Sequence, residues 1–127
     1  MDFVQPIAVV LVESATNVLL ARIVDDVGEP IEQADVDYIE RTVRNRYTEE
    51  LVGLAEVEID VAGAIFDTLQ TDPTWDADQT GYNFRDVLPP SVVPTAGVEL
   101  SIAYRLAMAT GGTIVVRFAG PVMESGL

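Results

Sequence analysis

The sequence predicts an all-β protein, an antiparallel sandwich of about seven strands with one short helical turn. Apolar and polar residues alternate in several segments, which is the pattern of half-buried strands. Turn signals rich in Gly, Pro and Asp separate these segments at intervals of roughly 8 to 15 residues, a spacing typical of sandwiches. The chain has 127 residues, the size of one domain. We therefore expect a single sandwich domain over residues 17–127, with residues 1–16 as an N-terminal arm or a first strand.

The N-terminal segment contains an uncharged apolar run, Ile7 to Val12. This run is too short to span a membrane, and it follows Asp2 where a signal peptide would carry basic residues. Apolar side chains at Phe3, Val4 and Ile7 would promote aggregation if the segment stayed in water. We therefore expect the segment either to pair with a strand of its own sheet or to add to the sheet of a neighbouring subunit.

The first half of the domain contains one clear strand and one ambiguous segment. Residues 18–24 are rich in β-formers and end at the turn sequence DDVG, residues 25–28. Residues 36–43 have apolar positions at helical spacing and an i,i+4 charge pair between Asp37 and Arg41. The same residues fit a strand with a bulge near Asp37. We favour the strand because its neighbours are strands.

The second half contains the clearest strand patterns. Residues 57–61 alternate between apolar and acidic side chains, which predicts a half-buried strand. Residues 82–87 form a short predicted strand that Pro89 and Pro90 close. Residues 98–119 alternate on both sides of Gly111-Gly112, which predicts a β-hairpin with a tight turn.

The stretch FDTLQTDPTWDADQTGYNFR, residues 66–85, contains the only Trp of the chain. We interpret it as a structural crossover, in which Asp67 caps a short helical turn over residues 68–70 and an acidic loop leads to the next strand. Trp75 is expected to cover the edge of the core, with Phe66 and Leu69 on one side and Tyr82 and Phe84 on the other.

Composition excludes several kinds of chemistry. The chain has neither Cys nor His, so it cannot form disulfides, thiolate or imidazole metal sites, or a Ser-His-Asp or Cys-His nucleophile system. Its net charge of −14 disfavours nucleic acid and anionic membranes as partners, because both need a basic surface. We expect no cofactor.

A partial calcium-loop pattern lies in the same stretch. Asp76, Asp78 and Thr80 occupy the first, third and fifth positions of such a loop, and Gly81 occupies the sixth. The twelfth position requires a bidentate Glu, and this chain has Val87 there. A polar turn between strands explains the same residues, so we expect that no metal is required.

Three carboxylates, Asp72, Asp76 and Asp78, lie close in sequence to Trp75 and Tyr82. Paired carboxylates could hydrolyse a glycoside while these rings stack on the sugar. With 21 acidic residues in the chain, such proximity arises by chance, and the domain is small to enclose a substrate. We therefore predict that the protein is not an enzyme, and we keep a sugar-binding face at Trp75 as an alternative.

A family resemblance rests on the segments VLLARIVDDVGEPIEQADVDYIERTV and AIFDTLQTDPTWDADQTGYNFRDVLPPSVVPTAGVELSIAY. They resemble uncharacterised small proteins of tailed-phage and prophage genomes that carry the motif FDTLQTD, a Trp and TGYNF. More loosely, they are similar to immunoglobulin-like domains of phage virion proteins. The resemblance covers residues 18–119, and the chain departs from it in its acidity and its first 16 residues.

The resemblance implies an immunoglobulin-like sandwich located in a virion. The expected function is that of a non-enzymatic structural protein, a capsid decoration or head–tail accessory subunit, and the alternative is a carbohydrate- or receptor-binding module. Expected partners are other virion proteins and copies of the same chain. Residues 25–60 hold twelve acids and three Arg, whereas residues 87–127 hold two of each, so we expect contacts through strand edges and this near-neutral region.

Overall fold

The computed structural model describes residues 6–125, which form two β-sheets packed as a sandwich, so the predicted all-β class is confirmed. Residues 6–125 contain nine strands, because the N-terminal segment adds two short ones. The strands are β1 (Ile7–Ala8), β2 (Leu11–Val12), β3 (Asn17–Ala21), β4 (Val36–Asn45), β5 (Val57–Ile59), β6 (Ile65–Gln70), β7 (Tyr82–Leu88), β8 (Glu99–Met108) and β9 (Thr113–Met123). One four-residue α-helix, α1 (Val61–Ala64), and two 3-10 turns (Gln33–Asp35 and Pro90–Val92) connect them.

The larger sheet has the order β1-β9-β8-β4-β5, and β2 also pairs with β9. The predicted hairpin is confirmed, since β8 and β9 pair antiparallel from Glu99↔Pro121 to Ala107↔Thr113. The N-terminal segment pairs within its own chain, with β1 and β2 both parallel to β9. Of the two expected arrangements of this segment, the structure shows pairing with a strand of its own sheet.

The ambiguous segment of the sequence is strand β4, as predicted. It pairs with β8 on one side and β5 on the other, and its register shifts between Val36 and Tyr38, where the bulge near Asp37 was expected. Alternation places Ile39, Arg41 and Val43 toward the core.

The smaller sheet has the order β3-β7-β6 and corrects one local prediction. Residues 68–70 were expected to form a helical turn, but they belong to β6. Gln70 pairs with Tyr82 of β7, and residues 66–69 form an irregularity between this pair and Ile65↔Phe84, so the segment stays extended. Asp67 does cap a helical turn, but a distant one, because its Oδ1 accepts a hydrogen bond from Gln33 N–H at 2.7 Å. The predicted strand over residues 57–61 is also shorter than expected, since α1 begins at Val61.

The core lies between the two sheets. Three buried rings meet at its centre, with Phe84 from β7 at 4.9 Å from Tyr104 and at 6.4 Å from Phe118, measured between ring centroids. The N-terminal segment contributes Leu11, which is 1% exposed. No helix among residues 6–125 has the length and hydropathy needed to cross a membrane.

Candidate functional site

The loop over residues 71–81, between β6 and β7, is organised by the Asp78 carboxylate. Its Oδ1 accepts hydrogen bonds from Trp75 Nε1 at 3.0 Å, from Thr80 N–H at 3.0 Å and from Gly81 N–H at 3.1 Å. Its Oδ2 accepts from Arg22 Nη1 at 2.8 Å, which joins the loop to the residue after β3. These donors, with Trp75 first, hold the pKa of Asp78 well below its usual range.

A second carboxylate, Asp72, fixes the start of the same loop. Its Oδ1 accepts from Thr74 N–H at 3.0 Å and from the Thr74 hydroxyl, and its Oδ2 accepts from the Tyr82 hydroxyl at 2.6 Å. The Thr74 hydroxyl is the main cause of a lowered pKa at Asp72. The bond to Asp72 raises the pKa of Tyr82.

Gly81 ends the loop in a conformation that favours glycine. Its φ is +104°, and a Cβ at this position would lie 2.5 Å from the carbonyl oxygen of Gln70. Tyr82 follows immediately, so Gly81 allows the chain to enter β7 close to the end of β6.

Trp75 is half-buried and packs on one neighbour of the predicted aromatic set. Its ring centroid lies 5.7 Å from that of Tyr82, and Tyr82 in turn meets Phe66 edge to face at 5.8 Å. Phe84 instead belongs to the central cluster with Tyr104 and Phe118. Phe66, Trp75 and Tyr82 therefore form one group at the edge of the sandwich, and Phe84 lies apart from it.

A groove of about 510 Å³ runs between this loop, β3 and the N-terminal segment. Ile7, Val18 and Leu20 give it an apolar side, and Arg22, Trp75 and Asp76 give it a polar end. Asp78 also reaches the groove, but the hydrogen bonds above already occupy its oxygens. The arrangement suits an extended or ring-shaped ligand that contacts the Trp75 indole.

The three candidate metal ligands do not assemble into a cation site. Asp78 accepts its hydrogen bonds from protein donors, and Thr80 takes part through its backbone N–H. Across residues 6–125 no group of three or more acidic side chains is placed to hold a metal ion. Of the predicted contact residues in the N-terminal segment, Ile7 lies on β1 and is 40% exposed, whereas Phe3 and Val4 lie outside the described residues.

A buried polar cluster, which was not predicted from the sequence, joins the two sheets. Asp86 Oδ2 of the smaller sheet accepts from Arg41 Nη1 at 2.9 Å and from the Tyr104 hydroxyl at 2.5 Å, both in the larger sheet. Burial, together with Asp86, raises the pKa of Tyr104. The available signal was charge at inward positions, since Arg41 lies between Ile39 and Val43 in the alternation of β4. Arg41 and Tyr104 are buried, and Asp86 also lines a cavity of about 230 Å³ between α1 and β7.

An exposed apolar surface covers the end of the sandwich where β4 ends and β8 begins. We call it the end patch, and it consists of Tyr47, Leu51, Pro94, Val98 and Met123. Tyr47 is 74% exposed and Met123 is 51% exposed. Two shallow cavities of about 430 and 200 Å³ lie side by side here and share Asn45 and Val98. Clustered exposed apolar side chains of this kind mark interaction surfaces.

Comparison of the chain with protein-family models, curated proteins and solved structures gave no significant match. The resemblance to tailed-phage proteins therefore stays a prediction from the quoted segments.

Proposed function

We propose that this chain is a non-enzymatic structural subunit of a tailed-virus particle, a capsid decoration or head–tail accessory protein. Its partners are other virion proteins and copies of itself. The resemblance of residues 18–119 supports the setting, and the surface of the sandwich supports a role in protein–protein contact.

The end patch is the observation that carries the proposal. Tyr47 and Met123 expose apolar atoms at the same end of the sandwich, beside two cavities that could receive side chains of a partner. Tyr is enriched among the residues that contribute most to interfaces. A charged pair lies beside the patch, where Arg46 pairs with Glu99 at 3.1 Å. An apolar centre with a polar rim is the usual anatomy of a protein interface.

The loop over residues 71–81 supports a scaffold role in a different way. The carboxylates of Asp72 and Asp78 bind protein donors and hold the loop closed. Both carboxylates are ionised at neutral pH, which is the state that accepts hydrogen bonds, and the donors around them lower their pKa values further. These acidic groups stabilise the fold and do not act as proton donors.

The net charge of −14 suits a surface that faces away from packaged nucleic acid. Phosphates and carboxylates repel, so an acidic subunit is best placed outside the capsid shell or at its neck. Many symmetric copies would add weak contacts into stable attachment.

The experiment that tests the proposal is quantitative mass spectrometry of tailed particles purified by density gradient from cells that produce this chain. A copy number comparable with that of the major capsid protein would indicate decoration, and a dozen or fewer would indicate the neck or tail. If the chain does not co-purify with particles, the proposal is wrong.

A matched pair of variants locates the interface. Tyr47→Ser should weaken attachment to particles by roughly 10- to 30-fold, the effect of losing one interface hot spot. Val27→Ser is the control, because Val27 is equally exposed, at 75%, but lies in a turn outside the end patch. Equal attachment of both variants would exclude the end patch as the contact surface.

The groove beside Trp75 supports a second candidate function, a carbohydrate- or receptor-binding module. An indole at the rim of a groove of about 510 Å³, next to the exposed Asp76, can stack on a sugar ring while a carboxylate accepts from its hydroxyls. Trp75→Ala should then abolish binding on a glycan array while the protein stays folded. If no glycan quenches the fluorescence of Trp75, the only Trp in the chain, this candidate fails.

A further inference from the structure

We propose that the N-terminal arm, residues 6–12, exchanges between copies of this chain and docks on β9 of a neighbour as it docks on its own β9. Within one chain, β1 and β2 pair parallel to β9 over Ile7↔Phe118 and Val12↔Met123. A second copy offers the same strand, so the complementarity of the two surfaces is already established by the fold.

The docked arm fits β9 through two specific contacts. Leu11 inserts into the core and is 1% exposed. The carbonyl oxygen of Val9 lies over Gly120, at 1.7 Å from where a Cβ would be, so only glycine allows this approach. Any arm that docks in trans must use the same cavity and the same glycine.

The hydrogen bonds at the end of the arm survive an exchange. Glu13 N–H donates to Met123 O at 2.9 Å, and Ser14 N–H donates to Val93 O at 2.7 Å. The Asn17 side chain donates to Val12 O and accepts from Val12 N–H at 3.0 Å. A neighbouring copy has the same hydrogen-bonding groups in the same positions, so each of these bonds can form with it.

Ser14 is the hinge at which the chain can turn from its own β9 toward the β9 of a neighbouring copy. Its φ is +53°, a left-handed value that is uncommon for a residue other than glycine. Rotation about this bond redirects the chain after Ser14 but leaves its N–H and the arm in place. Within the turn itself, Ala15 N–H donates to Val12 O at 3.4 Å and Asn17 Nδ2 donates to Ala15 O at 3.2 Å, so opening the turn breaks few hydrogen bonds. Strained connections of this kind favour swapping.

The lack of charge on the arm and the short length of the segment that follows it favour a second copy of this chain in direct contact. Residues 6–12 carry no charged side chain, whereas the whole chain carries −14, so the arm is a segment that can approach another copy without repulsion. Residues 13–16 span at most about 14 Å when extended, so donor and acceptor must be in direct contact. Salt should favour exchange, because it screens the acidic domains from each other.

The test uses a mixture of two single variants, since the chain has no Cys of its own. A mass-tagged Val12→Cys donor is mixed with a Met123→Cys acceptor, warmed to just below the melting temperature, cooled, briefly oxidised and run on a non-reducing gel. We expect a disulfide-linked heterodimer in excess of both homodimers, with a fraction that rises with protein and salt concentration. A Thr113→Cys acceptor, exposed at the other end of β9, measures random cross-linking.

Two pairs of variants separate exchange from other association. Gly120→Ala in the acceptor should remove the heterodimer, while Gly112→Ala, which has open space around it, should not. Ser14→Gly in the donor should lower the exchanged fraction roughly 5- to 30-fold by relieving the strain. Ser14→Val should raise it, because a branched side chain disfavours φ +53° more strongly while the N–H that donates to Val93 O is kept. A heterodimer no more abundant than with the Thr113→Cys acceptor, or one that Gly120→Ala leaves unchanged, overturns the proposal. Neither result depends on whether Ser14→Val folds.

Discussion

Gly120→Ala is the substitution that measures how much the N-terminal arm contributes to stability. The new Cβ would lie 1.7 Å from the carbonyl oxygen of Val9 and 2.7 Å from its carbonyl carbon. Ordinary van der Waals contact needs more than 3.4 Å, so the arm must move away from β9 by more than an ångström. Such a shift withdraws Leu11 from the core, where it is 1% exposed.

The expected cost follows from the cavity that Leu11 would leave. Removing a buried leucine side chain destabilises a protein by about 2 to 5 kcal/mol, and the two short parallel pairings would weaken as well. At roughly 3 °C per kcal/mol for a domain of this size, the melting temperature should fall by about 6 to 15 °C. Differential scanning calorimetry and urea titration would both report the change.

Gly112→Ala is the matched control for this prediction. Gly112 lies beside the β8–β9 turn, has no neighbouring atom within 4 Å of its Cβ position and does not have a positive φ. It experiences the same gain from reduced unfolded-state entropy, about 0.4 to 1 kcal/mol, without the clash. If the free energies of unfolding of Gly120→Ala and Gly112→Ala differ by less than 0.5 kcal/mol, docking of the arm does not depend on Gly120 and the reasoning is refuted.

Three further predictions concern other parts of the molecule. Arg41→Met alone should lower the free energy of unfolding by about 3 to 5 kcal/mol, because it leaves the buried Asp86 charge without its partner. Arg41→Met combined with Asp86→Leu should cost less. Urea titrations in which the costs of the two substitutions add would contradict this. The pKa of Asp78 is lower folded than unfolded, so its contribution to stability is present above about pH 4 and is lost as the pH falls further. Asp78→Asn should thus lower the melting temperature at pH 7 and flatten its decline below pH 4, and parallel pH profiles for both proteins would count against it. Addition of EDTA or calcium should leave the melting temperature unchanged, because protein donors occupy the Asp78 oxygens; a calcium-dependent rise of several degrees would reverse that view.

The strands were predictable where the alternation of apolar and polar residues agreed with the turn residues beside it. Residues 98–119 alternate and carry Gly-Gly near the turn, so the hairpin was predictable. Its turn is longer than Gly111-Gly112 alone, because the last pair is Ala107↔Thr113. Residues 36–43 were predictable only through their neighbours, because local spacing also fits a helix. The sheet pairs on both sides of β4 decide in favour of the strand.

Other features depend on contacts that are distant in sequence. Asp67 carries the signal of a helix cap, but the turn that it caps begins at Gln33. Asp86 and Arg41 form a pair because two inward positions on different sheets face each other. Alternation predicts which side chains of a strand point inward, but it does not predict which residue of the other sheet they meet. The loop over residues 71–81 was recognised as structural, but the donors around Asp78 include Arg22, which lies 56 residues away. Local patterns cannot locate such partners.

The parallel pairing of the arm with β9 has a consequence for how the protein is made. Ile7 and Phe118 are partners although about 110 residues separate them, so the ribosome produces the arm well before its partner strand. At roughly 5 to 20 residues per second, the apolar run from Ile7 to Val12 remains without β9 for several seconds. During that time Leu11 has no completed core to enter, and the arm is an unpaired strand exposed to other nascent chains. Synthesis speed and chaperone supply, rather than the stability of the finished domain, should therefore limit the yield of soluble protein when it is overexpressed.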